Sequence, residues 1–294
     1  MTKMFSLNWI FSLANELNII IQQKSKIPMG IAAEVWCITS NDGSEYIFKK
    51  SMFSTHKNKL NLDQFHKAKD LSVLPNDFFS FSKEDVLYTV YKKIPGKVLE
   101  EFNQISLQKA YNSLCCLHKN NGFKSVPSIY ADILEIAKEV LSNKKTKLLK
   151  DNKIIEKSAT RILSELDTKK LTEMLNCRGI LTHGDVKPNN IIMKYNKNVA
   201  FIDWEKICSV SPEFDISYCF LYSKDSRIDL SEHINNYNFE IIRDCFNYIH
   251  DFHLLYDFYV FLKTDTRYDY VFKQVLPLYK NWEHNKTYYL EKIK

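Results

Sequence analysis

Residues 181–205 read LTHGDVKPNNIIMKYNKNVAFIDWE. Asp185 sits in a loop bounded by Gly184 and Pro188, Asn190 follows five residues later, and Asp203 comes after two short apolar runs that read as a hairpin. An aspartate so placed can orient a hydroxyl and accept its proton. An asparagine and a second aspartate offer hard oxygen ligands, of which Mg²⁺ takes one or two beside phosphate and water oxygens. The pattern points to phosphoryl transfer from a magnesium nucleotide, with Asp185 as catalytic base and Asn190 and Asp203 as metal ligands. His183 reads as structural, bonded to the loop backbone or near Asp203.

The remaining sequence sets the frame. At 294 residues the chain can hold two lobes, each with its own core. Seven cysteines without a CxxC pair fit reduced thiols in a cytoplasmic protein. The apolar N-terminus is interrupted by Asn8, Asn15, Glu16 and Asn18, which favours an amphipathic helix over a signal peptide. No run reaches the ~20 apolar residues of a membrane span. The net charge of +6 is uneven: from residue 203 onward 11 Lys and Arg face 15 Asp and Glu. The basic residues upstream are dispersed rather than interleaved with aromatics, which argues against a nucleic-acid partner.

Along the chain, the first 25 residues read as a helix. Two strands follow within residues 33–53, joined at Asn41-Asp42-Gly43, a hairpin signal. A polar helical stretch over residues 55–74 and two more strands, around DFFSFS and VLYTVYKKI, complete an N-terminal lobe, residues 1–93. Ile94-Pro95-Gly96 reads as a linker into a C-terminal lobe, residues 94–294. There Leu107, Ala110, Leu114 and Leu117 recur at helical spacing, two long Lys-rich helices are expected over 128–176, and helical periodicity resumes from 212.

HGDxxxxN, the hairpin and IDWE together resemble the aminoglycoside phosphotransferase and choline kinase superfamily of small-molecule kinases. LYTVYKKIPGKVL (87–99) is similar to its inter-lobe hinge, Leu114-x-x-Leu117-His118 to its LxxLH helix, and Pro212-Glu213-Phe214-Asp215 to the segment after its metal aspartate. The resemblance implies an α+β, bilobal protein kinase-like fold: an antiparallel sheet plus helices in the N-lobe and a larger, mostly helical C-lobe. It also implies Mg²⁺ with ATP, or GTP, as cofactors. By the same resemblance Lys49 would reach the α- and β-phosphates, with Lys50 on the opposite strand face. Asp63 would be the carboxylate partner of Lys49, residues 91–93 (Tyr91 and Lys93 at its ends) would meet the adenine, and Asp215 would bond backbone amides of the catalytic loop. The phosphate loop departs from the family pattern: Gly30 is its one glycine, and small residues such as Ala32 must let the backbone approach phosphate. Lys187, two residues after the base as in Ser/Thr protein kinases, would neutralise the transferred phosphoryl group or else be a solvated loop lysine.

Only seven residues separate Asp203 from Ser211-Pro212-Glu213, too few for a peptide-binding activation segment, and DWE replaces DFG. A small hydroxyl-bearing acceptor is therefore favoured over a protein. The acidic distal third contributes candidate substrate residues Asp225, Glu232, Asp265, Asp269 and Tyr268. Carboxylates suit polyamine-like antibiotics, and aromatic faces suit a quaternary ammonium. The expectation is a cationic acceptor, an aminoglycoside-like antibiotic ahead of choline or another amino alcohol. A non-catalytic kinase-like binding protein is the alternative that the poor glycine loop leaves open.

Overall fold

The computed structural model describes residues 8–27, 33–51, 79–83, 86–119, 128, 130–149, 152–175, 180–206, 208–223, 237–264 and 268–292. The chain divides into two compact units, Met1–Pro95 and Gly96–Lys294. The first is built on an antiparallel sheet and the second is mostly helical.

In the first unit, α1 (Asn8–Glu16) buries Ile10, Leu13 and Ala14 along one face. The expectation of a helix over the first 25 residues is corrected here. Asn18 takes a left-handed φ of 55°, and the Ile19 amide bonds back to the Ala14 carbonyl at 2.8 Å, which closes the helix. The β-branched run Ile19-Ile20-Ile21 then favours extended chain and leads into β1 (Ile21–Ile27). Strands β2 (Ala33–Ser40), β3 (Glu45–Ser51), β4 (Phe79–Lys83) and β5 (Val86–Lys92) complete a sheet of order β1-β2-β3-β5-β4. Asn41-Asp42-Gly43 forms the β2–β3 turn, where the Asp42 carboxylate accepts the Ser44 amide at 2.9 Å. Ile38, Phe48 and Val90 pack beneath the sheet against Ile10 and Leu13. The helix expected over residues 55–74 lies outside the described residues.

In the second unit, β6 (Gly96–Val98), β7 (Ile191–Lys194) and β8 (Val199–Phe201) form a small antiparallel sheet. Gly96 was expected in a linker, but it opens a strand. Its φ is +152°, and a Cβ there would fall 2.3 Å from the Met193 carbonyl oxygen, so β6 can approach β7 only through glycine. Helix α2 (Gln104–His118) buries the stripe Leu107, Ala110, Leu114 and Leu117, and Asn103 and Ser106 cap its start reciprocally.

Among the described residues, the two long helices expected over 128–176 are four: α3 (Ile133–Ser142), α4 (Lys144–Leu148), α5 (Asn152–Glu165) and α6 (Thr168–Leu175). Short polar residues make the breaks. Asn143 accepts the Lys145 amide at 2.9 Å, and Asp167 accepts the Lys170 amide at 2.7 Å, each starting a new helix in place of continuing the old one. Helix α7 (Pro212–Leu221) is buried from Glu213 onward. The 26-residue α8 (Phe239–Thr264) packs on α3, α5, α6, α7 and α9 (Leu276–Lys292). Among the described residues no helix is long and apolar enough to cross a membrane.

Candidate active site

The loop before β7 is pinned from below by one carboxylate. Asp215, in the first turns of α7 and fully buried, accepts the His183 amide at 2.7 Å and the Gly184 amide at 2.8 Å. His118, the last residue of α2, lies with Nε2 3.1 Å from the same carboxylate. A backbone pairing of Thr182 with Cys208 fixes the incoming chain. Gly184 has a φ of +77°, and a Cβ there would meet the Lys206 carbonyl oxygen at 2.3 Å. The HGD glycine is thus required by conformation and by the close approach of residue 206.

His183 is a structural pin. Its Nε2 lies 2.9 Å from the Ile202 carbonyl, and its Nδ1 accepts the Asp185 amide at 3.2 Å. A carbonyl only accepts, so the proton sits on Nε2 and Nδ1 carries the lone pair. Burial holds the imidazole below its usual pKa and outweighs the nearby carboxylates Asp215 and Asp185. The neutral ring is flanked by Trp204 and Phe201.

Asp185 is 3% exposed and both of its oxygens are engaged. Oδ2 meets Lys187 Nζ at 3.0 Å and Asn190 Nδ2 at 3.1 Å, and Oδ1 meets Lys206 Nζ at 3.1 Å. Burial alone raises this carboxyl, but Lys187 and Lys206 outweigh it and hold the pKa well below the ordinary carboxylate range. The pair works both ways: burial lowers Lys187, yet Asp185 dominates and its pKa is raised.

Asn190 closes the 3₁₀ turn Pro188–Asn190, and its Nδ2 also donates to the Asp185 carbonyl at 2.9 Å. With Nδ2 committed to Asp185, Oδ1 is the atom left to face a cation. The Ile202 amide bonds to the Asn190 carbonyl at 2.9 Å, so the hairpin delivers Asn190 and the adjoining Asp203 from the same end. Asp203 is half-buried and holds a left-handed φ of 64°, a conformation Asp tolerates better than most residues. An amide oxygen and a carboxylate suit Mg²⁺, which completes its shell with phosphate and water. Among the described residues no group of three or more His, Cys, Asp or Glu could hold a metal, and Mg²⁺ does not require one.

The other expected residues fall as follows. Lys49 is half-buried on β3, opposite Val35 and Thr89, while Lys50 lies over the Tyr88 ring. Tyr91 is buried, and the Lys93 amide is already bonded to the Glu45 carbonyl at 2.8 Å. The Lys93 side chain pairs with the Glu45 carboxylate. Gly30, Ala32, Asp63, Asp225, Glu232 and Asp265 lie outside the described residues. Asp269 is exposed and paired with Lys273 at 3.0 Å, and Tyr268 is half-exposed against Phe272.

A cavity of about 260 Å³ opens beside Lys187, within the second unit. Tyr222, Ser223, Tyr270, Gln274 and Asn281 line it, and neither Tyr268 nor Asp269 does. Lys206 and Tyr222 were missed in the sequence. The only signal for Lys206 was its place three residues after Asp203, where the 3₁₀ turn Trp204–Lys206 swings it back to Asp185.

A family model described as the ecdysteroid kinase-like family matches residues 89–245, more than half of the chain. No curated protein matches the sequence. Among solved structures, choline kinase LicA from Streptococcus pneumoniae superposes with a TM-score of 0.68 at 15% identity, covering 95% of this chain and 100% of that one. The GDP and kanamycin complex of APH(2")-IIia gives 0.66 at 13% identity over 95% and 99%. Aminoglycoside phosphotransferase APH(4)-Ia with ADP and hygromycin B gives 0.63 at 13% over 95% and 97%. These likenesses establish the kinase-like fold of small-molecule phosphotransferases.

Proposed function

The chain belongs to the ecdysteroid kinase-like family, and from that premise we propose that it transfers the terminal phosphoryl group of ATP, or GTP, to a hydroxyl of a small molecule. The observation that carries the reading is the Asp185 carboxylate, buried and held by Lys187, Lys206 and Asn190 at 3.0–3.1 Å. Asp185 is the base that orients the acceptor hydroxyl and takes its proton. In a loose transition state that proton leaves late, so a carboxylate of depressed pKa serves well as an orienting group.

Asn190 and Asp203 would hold Mg²⁺, which would supply charge neutralisation to the phosphates. Lys187 and Lys206 then exchange Asp185 for the phosphoryl oxygens and follow the charge as it moves. Lys49 holds the α- and β-phosphates. Preorganised charge of this kind, more than covalent chemistry, is what phosphoryl transfer asks of a protein. The thiols of Cys37, Cys115, Cys208, Cys219 and Cys245, not joined in disulfides, suit a cytoplasmic setting.

The acceptor is a cationic, hydroxyl-bearing molecule, with an aminoglycoside-like compound first. A second reading, an amino alcohol such as ethanolamine or choline, is supported by cavity size. At about 260 Å³ it lies below the ~300–1,000 Å³ common for drug-sized ligands. A coupled ADP-release screen over aminoglycosides, macrolides, amino alcohols, thiamine, homoserine, methylthioribose and an ecdysteroid tests both. A neutral or anionic compound as the best substrate would overturn the cationic assignment, and failure to bind MgATP would overturn the kinase reading.

A further inference from the structure

One wall of the cavity beside Lys187 is made of phenols. Tyr222 caps the end of α7, and Tyr270 immediately precedes the π-helical turn Val271–Val275. In that turn the Leu276 amide bonds to the Val271 carbonyl, five residues back. Tyr270, Gln274 and Leu278, spaced four residues apart along this segment, line the cavity. Such turns cost regular helix geometry and concentrate at functional sites.

One of the phenols is wired to a buried histidine. Tyr222 Oη lies 2.8 Å from His253 Nε2. Burial keeps His253 neutral, with its pKa pushed down to about 4 in spite of Asp257. A neutral imidazole has one N–H. Its Nδ1 stands 3.2 Å from Asp257 Oδ2 and 2.9 Å from Tyr218 Oη. The carboxylate repels a bare nitrogen and attracts an N–H, so the proton sits on Nδ1. Nε2 is then an acceptor, and Tyr222 donates to it. With that proton committed, Tyr222 can only accept from a further partner. The pair is directed, Tyr222 O–H to His253 Nε2, and the Tyr222 oxygen keeps only lone pairs for a ligand.

We infer that Tyr222 determines acceptor specificity by presenting a hydrogen-bond acceptor, and that it selects a molecule with an N–H or O–H donor besides the hydroxyl that is phosphorylated. The inference rests on the phosphotransfer reading of the same site. Glu100 and Glu101, which also line this cavity, favour the N–H source as a protonated amine. A trimethylammonium group has no donor and leaves the Tyr222 oxygen unanswered, so a primary amine is preferred to its quaternary counterpart.

The test uses ethanolamine and choline as a matched pair, kanamycin as a larger N–H source and an ecdysteroid as the O–H source. With the full chain, kcat/KM is read by ADP release and affinity by calorimetry. Ethanolamine is expected to exceed choline about 10–100-fold, the worth of one charge-assisted hydrogen bond. In Tyr222→Phe the ratio falls towards one while the nucleotide KM stays put. His253→Gln, which can still take the Tyr222 proton on its amide oxygen, retains more of the ratio than His253→Phe. Choline equal to or better than ethanolamine overturns the inference. So does a ratio unchanged in Tyr222→Phe, or no binding of any donor-bearing probe. A protein that binds the amines selectively but releases no ADP from MgATP refutes the kinase reading and supports this one.

Discussion

Asp215→Ala removes the acceptor of three buried donors at once. The carboxylate receives the amides of His183 and Gly184 at 2.7 and 2.8 Å and faces His118 Nε2 at 3.1 Å, with no exposure to solvent. Each donor left unpaired in the interior costs about 1–3 kcal/mol, and three such losses sum to about 3–9 kcal/mol. Deleting the carboxylate returns part of its own desolvation penalty, which brings the expected loss to roughly 3–6 kcal/mol. Urea unfolding followed by tryptophan fluorescence reads this well, because Trp204 packs on the His183 ring at 4.5 Å. For an m-value of about 3 kcal/mol/M the midpoint falls by about 1–2 M. Asp215→Asn keeps one acceptor oxygen but turns an NH₂ towards a donor, so it falls between wild type and alanine. An Asp215→Ala midpoint within about 0.3 M of wild type would refute the claim that this carboxylate holds the loop.

Gly184→Ala forces a Cβ to 2.3 Å from the Lys206 carbonyl at a φ of +77°; it should cost at least the ~1–2 kcal/mol of a left-handed alanine and lower turnover with Asp185 displaced, as thermal unfolding and ADP release would show. Lys206→Met should lower kcat for phosphorylation about 10–100-fold with a smaller change in acceptor KM, and Lys206→Arg should recover part of it; equal activity in all three proteins would remove Lys206 from the site. His253 binds its proton less readily when folded, with a pKa of about 4 against the ordinary 6.5. Its neutral state therefore contributes stability that is full above pH 6.5 and is lost as pH falls towards 4, by up to roughly 3 kcal/mol. Unfolding midpoints measured from pH 7 to 4 should fall more steeply in wild type than in His253→Gln, and parallel curves would contradict this.

What the sequence revealed and what it hid divide along physical lines. The Asp-Gly turn, the strand alternation of β2, β3 and β5 and the apolar stripe of α2 are local patterns, and each appears where its residues placed it. The breaks at Asn18, Asn143 and Asp167 were missed because periodicity reports which face is apolar and says little about where a short polar side chain ends a helix. In the candidate site, the grouping of Asp185 with Asn190 in one short segment was legible, but the hydrogen bond between their side chains across the 3₁₀ turn was not. The arrival of Lys206 on Asp185 and of His253 on Tyr222 depends on packing between distant segments, for which a single sequence carries no signal. Tyr270 lines the cavity together with Gln274 and Leu278, four and eight residues further on.

The central claim is that Asp185 acts on the acceptor while Asp203 acts on the metal nucleotide, and one comparison separates them. MgATP affinity and single-turnover acceptor phosphorylation are measured side by side in wild type, Asp185→Asn and Asp203→Ala. Asp185→Asn is predicted to slow phosphorylation by about 10²–10⁴-fold with MgATP affinity near wild type, whereas Asp203→Ala weakens MgATP binding as well. Full phosphorylation by Asp185→Asn, or unchanged MgATP binding in Asp203→Ala, would contradict the account.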